Sequence, residues 1–348
     1  MKFKKSLFVV LNLIIVIGFV SCKNEKASGC FSPLAVVKLG EQWGYIDTIG
    51  NFVIEPAFNS ADEFVENGLA LVSVEGKYGF IDRTGKYVVE PQFDYAREFG
   101  KNGLAAVEIA DKWGYIDTTG RIVVNLQYEN ADVYGACGLA SVMMGGKWGY
   151  IDETRRVVVD FQYDYAGGFG EFGLASVSIG RKYGYIDTTG RVVIDLQFDD
   201  AEDFGNYGLA WIVQNEKIGC IDTLGNFVIV PQYNLAQMSD FNKNGISTVD
   251  LNGKRLIVDT TGNIVLKTQY GFVGEFGIVG LASVRNGNKW GYIDTTGKTV
   301  IALQYDEARD FGEKGLASVR IGNKWGYINT IGKFVINPQF DGAREFEY

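Results

Sequence analysis

Carboxylates at a fixed interval are the first residues in this chain whose types could do chemistry. Asp47, Asp82, Asp117, Asp152, Asp187, Asp222, Asp259 and Asp294 recur at matching places, as in "DKWGYIDTTG" (111–120), and Asn329 fills the ninth. A carboxylate in a cleft can act as a general base or a nucleophile, and a pair of them can cleave a glycosidic bond. An Asp to Asn exchange would cripple a base. Both residue types, however, accept backbone amides at the first position of a tight turn. With glycine three residues on, D-T-T-G has the spacing of a type I turn. The repeated aspartates are therefore read as turn caps.

The remaining candidates break the repeat less clearly. Asp160, Asp195 and the acidic run "DDAED" (199–203) lie where a hydrolase or a calcium site would have to be sought, and solvated loop charge is the plainer reading. The chain has no histidine. Ser-His-Asp and Cys-His catalysis and histidine-ligated zinc are thereby excluded. No phosphate-binding glycine motif stands between a strand and a helix. The expectation is a protein that is not an enzyme, with no catalytic residues, no cofactor and no metal.

These residues must be positioned by something that repeats. The glycine after the recurring aromatic falls at 44, 79, 114, 149, 184, 219, 291 and 326, with Leu256 in the one remaining unit. The interval is 35 residues except for a single 37. A fixed period of this kind is the signature of a repeat architecture. One unit, "GLASVRIGNKWGYINTIGKFVINPQFDGAREF" from Gly315, reads as three short strands joined by turns, followed by a crossover with room for one helical turn. The fold expected is all-β, with nine tandem antiparallel β-meander repeats over residues 31–348 that stack to make a core. A curved solenoid is favoured, because nine units exceed the usual propeller and each is short of four strands. The alternative is a closed propeller-like ring, which the lack of capping units at either end supports.

The recurring K-W-G-Y-I-D-x-x-G, with P-Q-F/Y-D-x-A-x-x-F and G-L-A-x-V downstream, resembles the WG-repeat proteins that are widespread in bacteria. That resemblance covers nearly all of residues 31–348. It implies an all-β array without shared catalytic residues, often exported. The chain departs from the pattern in unit four, where Arg155 replaces the turn glycine, and in unit seven, "GKRLIVD", where Arg255 and Leu256 replace Trp and Gly.

The first 21 residues form a signal peptide: a basic start, then the apolar run 7–20, then a small residue before Cys22. The "FVSC" ending resembles a lipoprotein box, which makes Cys22 the lipid attachment site and residues 22–30 a tether. Export to the bacterial outer membrane or cell surface follows. Removing residues 1–21 takes away Lys2, Lys4 and Lys5; 33 basic residues less these three is 30, against 42 acidic, a net charge of −12. Such a body repels nucleic acid, and membrane contact is expected through the lipid anchor only.

Function is then expected at a surface. The leading reading is a non-catalytic binding or scaffolding protein of the cell envelope with a protein partner. Trp211, the one tryptophan off the repeat position, and Arg155, Arg156 and Arg255, where the repeat is broken, are the candidate partner surface. For Trp211 the plainer reading is packing beside Ile218, where unit six lost its aromatic. The second reading is a carbohydrate-binding module in which a row of tryptophans such as Trp43 and Trp113 stacks on a glycan. A hydrolase is the remote third.

Overall fold

A computed structural model of the chain describes residues 32–234 and 239–347. The signal peptide, Cys22 and the tether lie outside them. In each unit, runs rich in β-branched and aromatic residues form strands joined by a tight turn in which one or two residues are left-handed. Leu69–Val74 and Lys77–Asp82 are joined in this way through Glu75 and Gly76, at φ 52° and 77°. Tyr87–Phe93 then pairs with the second strand.

The meander is not the whole sheet. Immediately after Phe93 the chain makes a two-residue strand, Tyr95–Ala96, which pairs with Leu104–Ile109 of the following unit. The expected crossover is thus a strand, and among the described residues there is no helix. Among the described residues, eight of the nine sheets have four strands.

Closure is decided at the ends of the array. Gly342–Glu347 pairs antiparallel with Leu34–Leu39 and supplies the fourth strand of the first sheet, whose other three strands come from the start of the array. A solenoid would leave the Leu34–Leu39 edge unpaired; closing the ring removes it. The architecture is therefore the closed ring, a nine-bladed β-propeller, in place of the curved solenoid. Blade 1 joins residues 34–58 to 342–347. Blades 2 to 6 follow at 60–93, 95–128, 130–163, 165–198 and 200–234, then blades 7 to 9 at 246–267, 272–305 and 307–340.

The core lies between blades. Tyr45 of blade 1 stands 4.8 Å, centroid to centroid, from Phe64 of blade 2, and its hydroxyl donates to the Asp62 carbonyl at 2.8 Å. The same contact recurs as Tyr115 with Tyr134, Tyr150 with Phe169, Tyr185 with Phe204, Tyr292 with Phe311 and Tyr327 with Phe346. No blade could bury its face alone.

The glycine of W-G admits the third strand. A Cβ at Gly44 would lie 2.6 Å from the Ile54 carbonyl oxygen and 2.7 Å from Pro56 N. That approach comes from an irregularity in which Trp43 pairs with Phe58 but Tyr45 with Ile54. Where blade 7 has Leu256 instead, pairing is regular there (Leu256 with Lys267, Ile257 with Leu266) and the strand shrinks to Ile264–Lys267.

Candidate functional surface

Antiparallel blades have two ends. One carries the D-x-x-G turns and the loops that follow the short strands; the other carries the two-residue hairpins and the chain passages between blades. At the turn end, the aspartates do what their exchange for asparagine implies. Asp117 Oδ1 accepts Thr119 N at 2.9 Å, Arg121 N at 3.1 Å and the Thr119 hydroxyl at 2.6 Å. The threonine hydroxyl, then the two amides, hold the carboxyl below its ordinary range. Asn329 accepts Ile331 N and Lys333 N in the same arrangement. Arg155 keeps its turn in a left-handed conformation at φ 73°, with its N–H donating to the Asp152 carbonyl.

At the hairpin end, the lysine before W-G and the aspartate after Q-F/Y form a staple between blades. Lys182 Nζ lies 2.6 Å from Asp199 Oδ1, whose other oxygen accepts Asn215 N of the next blade at 2.8 Å. Lys77 with Asp94 and Lys147 with Asp164 repeat it. Lys324, Asp341 and Gly40 N repeat it across the ring closure.

Two blade interfaces carry a half-buried carboxylate. Asp203, the last residue of "DDAED", reaches back from blade 6 into blade 5. It accepts Gly168 N at 2.9 Å, Ser176 N at 3.0 Å and the Ser176 hydroxyl at 2.7 Å. Asp310 of blade 9 accepts Glu275 N and Ser283 N of blade 8 at 2.9 and 2.8 Å. Burial pushes both carboxyls up, against these hydrogen bonds. Both carboxylates are thus held by donors of the neighbouring blade. Asp160 and Asp195 are exposed on the third strands of blades 4 and 5. Among the described residues no cluster of three or more Asp, Glu or Cys is placed to hold a metal ion.

The tryptophan column is covered. Trp113 is 7% exposed, with the Arg97 guanidinium 5.4 Å from its ring and Tyr95 at 5.7 Å. Arg344 covers Trp43, Arg285 Trp290 and Arg309 Trp325 at 5.4–5.5 Å. These lids occupy faces that a sugar would need.

The recurring letters K, W, G, Y, D and G thus each have an observed task within a blade or between neighbouring blades, and they recur from residue 43 to the end. The chain belongs to the WG-repeat family. A family profile described as the WG containing repeat matches nine segments, 43–78, 78–113, 113–148, 148–183, 183–217, 218–254, 257–290, 290–325 and 325–348. Among solved structures, a eukaryotic initiation factor is similar at 11% identity and TM-score 0.67, over 91% of this chain and 98% of that one. That similarity shows the fold alone. Looser similarities are to apo AztD from Citrobacter koseri (12% identity, TM-score 0.47, 78% and 95% covered) and Kluyveromyces lactis Hsv2p (9%, 0.43, 80% and 95%). No curated protein matches in sequence.

The residues singled out by sequence do not form one patch on this WG-repeat ring. Trp211 is 2% exposed and stacks on Phe241 of blade 7 at 5.2 Å and 8° between ring planes. Burial removes it from the candidate surface. It packs in the cluster that holds Ile218, and its cross-strand partner is Cys220, where sister blades pair Ser with Tyr. Arg155 and Arg156 are exposed on the blade 4 turn, while Arg255 is half-buried on a strand of blade 7. Asp203 falls in the acidic run that the sequence singles out, but its partners, like those of Asp310, lie one blade away and are not visible in the sequence.

Proposed function

We propose that this WG-repeat propeller is a non-catalytic binding or scaffolding ring of the bacterial cell envelope. Residues 1–21 direct export, a lipid on Cys22 holds the chain to the outer membrane or cell surface, and the ring presents a blade-specific surface to a protein partner. The observation that carries this reading is that the constant polar residues are engaged in the ring itself. What remains for recognition is what differs between blades, including Arg155, Arg156 and Arg255. Large closed β surfaces of this kind suit protein partners. The glycan reading is weaker, because arginine and tyrosine lids cover the tryptophan faces.

The test is a pull-down from solubilised envelope with the full chain as bait, reading protein and glycan in parallel. One stoichiometric protein supports the proposal; retention of glycan alone overturns it. Incorporation of labelled fatty acid, lost on Cys22→Ala, tests the anchor separately.

A further inference from the structure

The staples at the hairpin end share one chemistry in five blades and depart from it in a sixth. Lys77, Lys147, Lys182, Lys289 and Lys324 each hold an aspartate: Asp94, Asp164, Asp199, Asp306 and Asp341. In blade 6 the lysine is kept and its partner is an amide. Lys217 Nζ donates to Asn234 Oδ1 at 2.7 Å, with both residues half-buried. The third strand of this blade, Phe227–Asn234, has eight residues where that of blade 5 has seven, and Asn234 pairs directly opposite Lys217 in the antiparallel register. Directly opposed residues hold their Cβ atoms about 5 Å apart. The backbone itself thus keeps amine and amide together.

A second departure lies on the far side of that amide. In the ordinary staple the aspartate's other oxygen accepts the hairpin N–H of the next blade, as Asp199 Oδ2 does from Asn215 N. The NH2 group of an asparagine cannot accept it. Here Asp250 of blade 7 takes over: its Oδ1 accepts Gly253 N at 3.1 Å and also Asn234 Nδ2 at 3.1 Å. Sister blades have residues as unlike as Ser73, Met143 and Arg320 at the place of Asp250, so the fold does not call for a carboxylate there. Amine, carboxamide and carboxylate are brought together where blade 6 meets blade 7.

We propose that Lys217 and Asn234 join in an intramolecular amide cross-link, with Asp250 as the proton carrier. The charge of a carboxylate turns away an attacking amine, so the five aspartate staples stay ionic. A carboxamide carries no such charge, and its nitrogen can leave once protonated. Lys217, as the free amine, attacks Asn234 Cγ; the bond from Nζ to Cγ forms and the bond from Cγ to Nδ2 breaks. Asp250, already hydrogen-bonded to Nδ2, delivers a proton to it. The lysine ammonium and the carboxamide become one secondary amide and one ammonium ion, with no change of oxidation state and no further reactant. Holding the two groups in contact replaces a chance encounter. The link ties the end of the third strand of blade 6 to its middle strand, where the chain leaves for the blade that has lost W-G.

The test is peptide mapping of the purified full chain, held folded at mildly alkaline pH, then unfolded and digested with a protease that cuts before aspartate. Cleavage before Asp203, Asp222 and Asp240 puts Lys217 and Asn234 on separate peptides. One joined species is expected, 203–221 with 222–239, lighter than the sum of the two by one ammonia. Lys217→Arg keeps the charge without the nucleophile, and Asp250→Asn keeps the shape without the proton carrier. Both should give the two peptides unjoined, from proteins that elute on size exclusion like the natural chain. Unjoined peptides from the natural chain overturn the proposal. So does a missing ammonia without the joined species, as ring closure at Asn252-Gly253 would give. The joined species from Asp250→Asn overturns the part given to the carboxylate.

Discussion

The carboxylate of Asp203 occupies the space in which a side chain at position 167 would begin. A Cβ on Gly167 would stand 2.7 Å from Asp203 Oδ2 and 2.6 Å from the Ser176 hydroxyl it binds. The pair recurs as Gly274 and Asp310, with Asp310 Oδ2 at 2.6 Å. Glycine in one blade thus opens a slot for an aspartate of the next, 36 residues later in both cases.

Gly167→Ala should therefore evict the carboxylate and lose about 2 kcal/mol, the scale of leaving buried polar groups unpaired. Asp203→Ala alone should cost a similar amount. The double variant should lose less than the sum by at least about 1 kcal/mol, because the two changes remove one interaction. Urea unfolding of the four proteins checks this; strict additivity would show that the slot and the carboxylate are unrelated.

The pH dependence of Asp203→Asn/Asp310→Asn follows from the raised carboxyls. A group whose folded pKa is raised contributes its stability below the unfolded value, near ~3.9, and loses it as pH rises through the folded value. The turn caps work the other way. Asp117, Asp187 and Asp294, lowered first by threonine hydroxyls, contribute above the unfolded value and lose it as pH falls through the folded one. The double variant should accordingly gain on the natural chain as pH rises from the unfolded carboxyl value through the raised folded one, on top of any constant offset. Calorimetric midpoints across that range would refute it by showing a fixed gap.

Trp211 and Cys220 should behave as a swapped pair. Trp211→Ser should cost about 3–5 kcal/mol, as for other large aromatic truncations, because Phe241 loses its stacking partner. Adding Cys220→Tyr restores the Ser–Tyr pair of blade 5, Ser176 with Tyr185, and should recover most of that loss. Cys220→Tyr alone should destabilise by overpacking. Thermal melts of the three variants decide the matter, and no recovery in the double would sink the assignment.

Asp117 separates cap from base in one position. Asp117→Asn should change stability by less than about 0.5 kcal/mol, as Asn329 shows the turn accepts it, whereas Asp117→Ala should cost about 1 kcal/mol. Equal losses in both variants, read from denaturant midpoints, would argue against the cap.

Closing the ring should matter more than any single blade. Ending the chain at Phe340 removes Asp341, whose Oδ2 binds Gly40 N at 2.9 Å, and the strand that covers Leu34–Leu39. The shortened chain should self-associate through that exposed edge. Light scattering after size exclusion should show oligomers where the full chain shows a smaller species; an unchanged mass would count against closure as the stabilising contact.

Local spacing made much of this legible. The count of nine units, the three meander strands and the turn caps follow from a 35-residue period and turn chemistry, which act within one unit. Blade 7 shows the same link between sequence and pairing: lose the glycine, and the third strand pairs regularly and shortens. Trp211 was legible only in part. Its packing role and the nearby Ile218 could be read, but its cross-strand partner could not, because strand register sets it opposite Cys220.

What the sequence by itself determined is the unit: its strands, its turns and the residues that must recur. Only the tertiary structure decided how units add up. Whether small rotations between blades sum to a full circle is a property of all nine interfaces together, and it is settled where Gly342–Glu347 meets Leu34–Leu39. The Gly167 and Asp203 slot arises between the faces of neighbouring blades, and the lids on the tryptophans arise across the strands of one blade. Composition averages over those faces, and spacing along the chain carries no measure of distance across them.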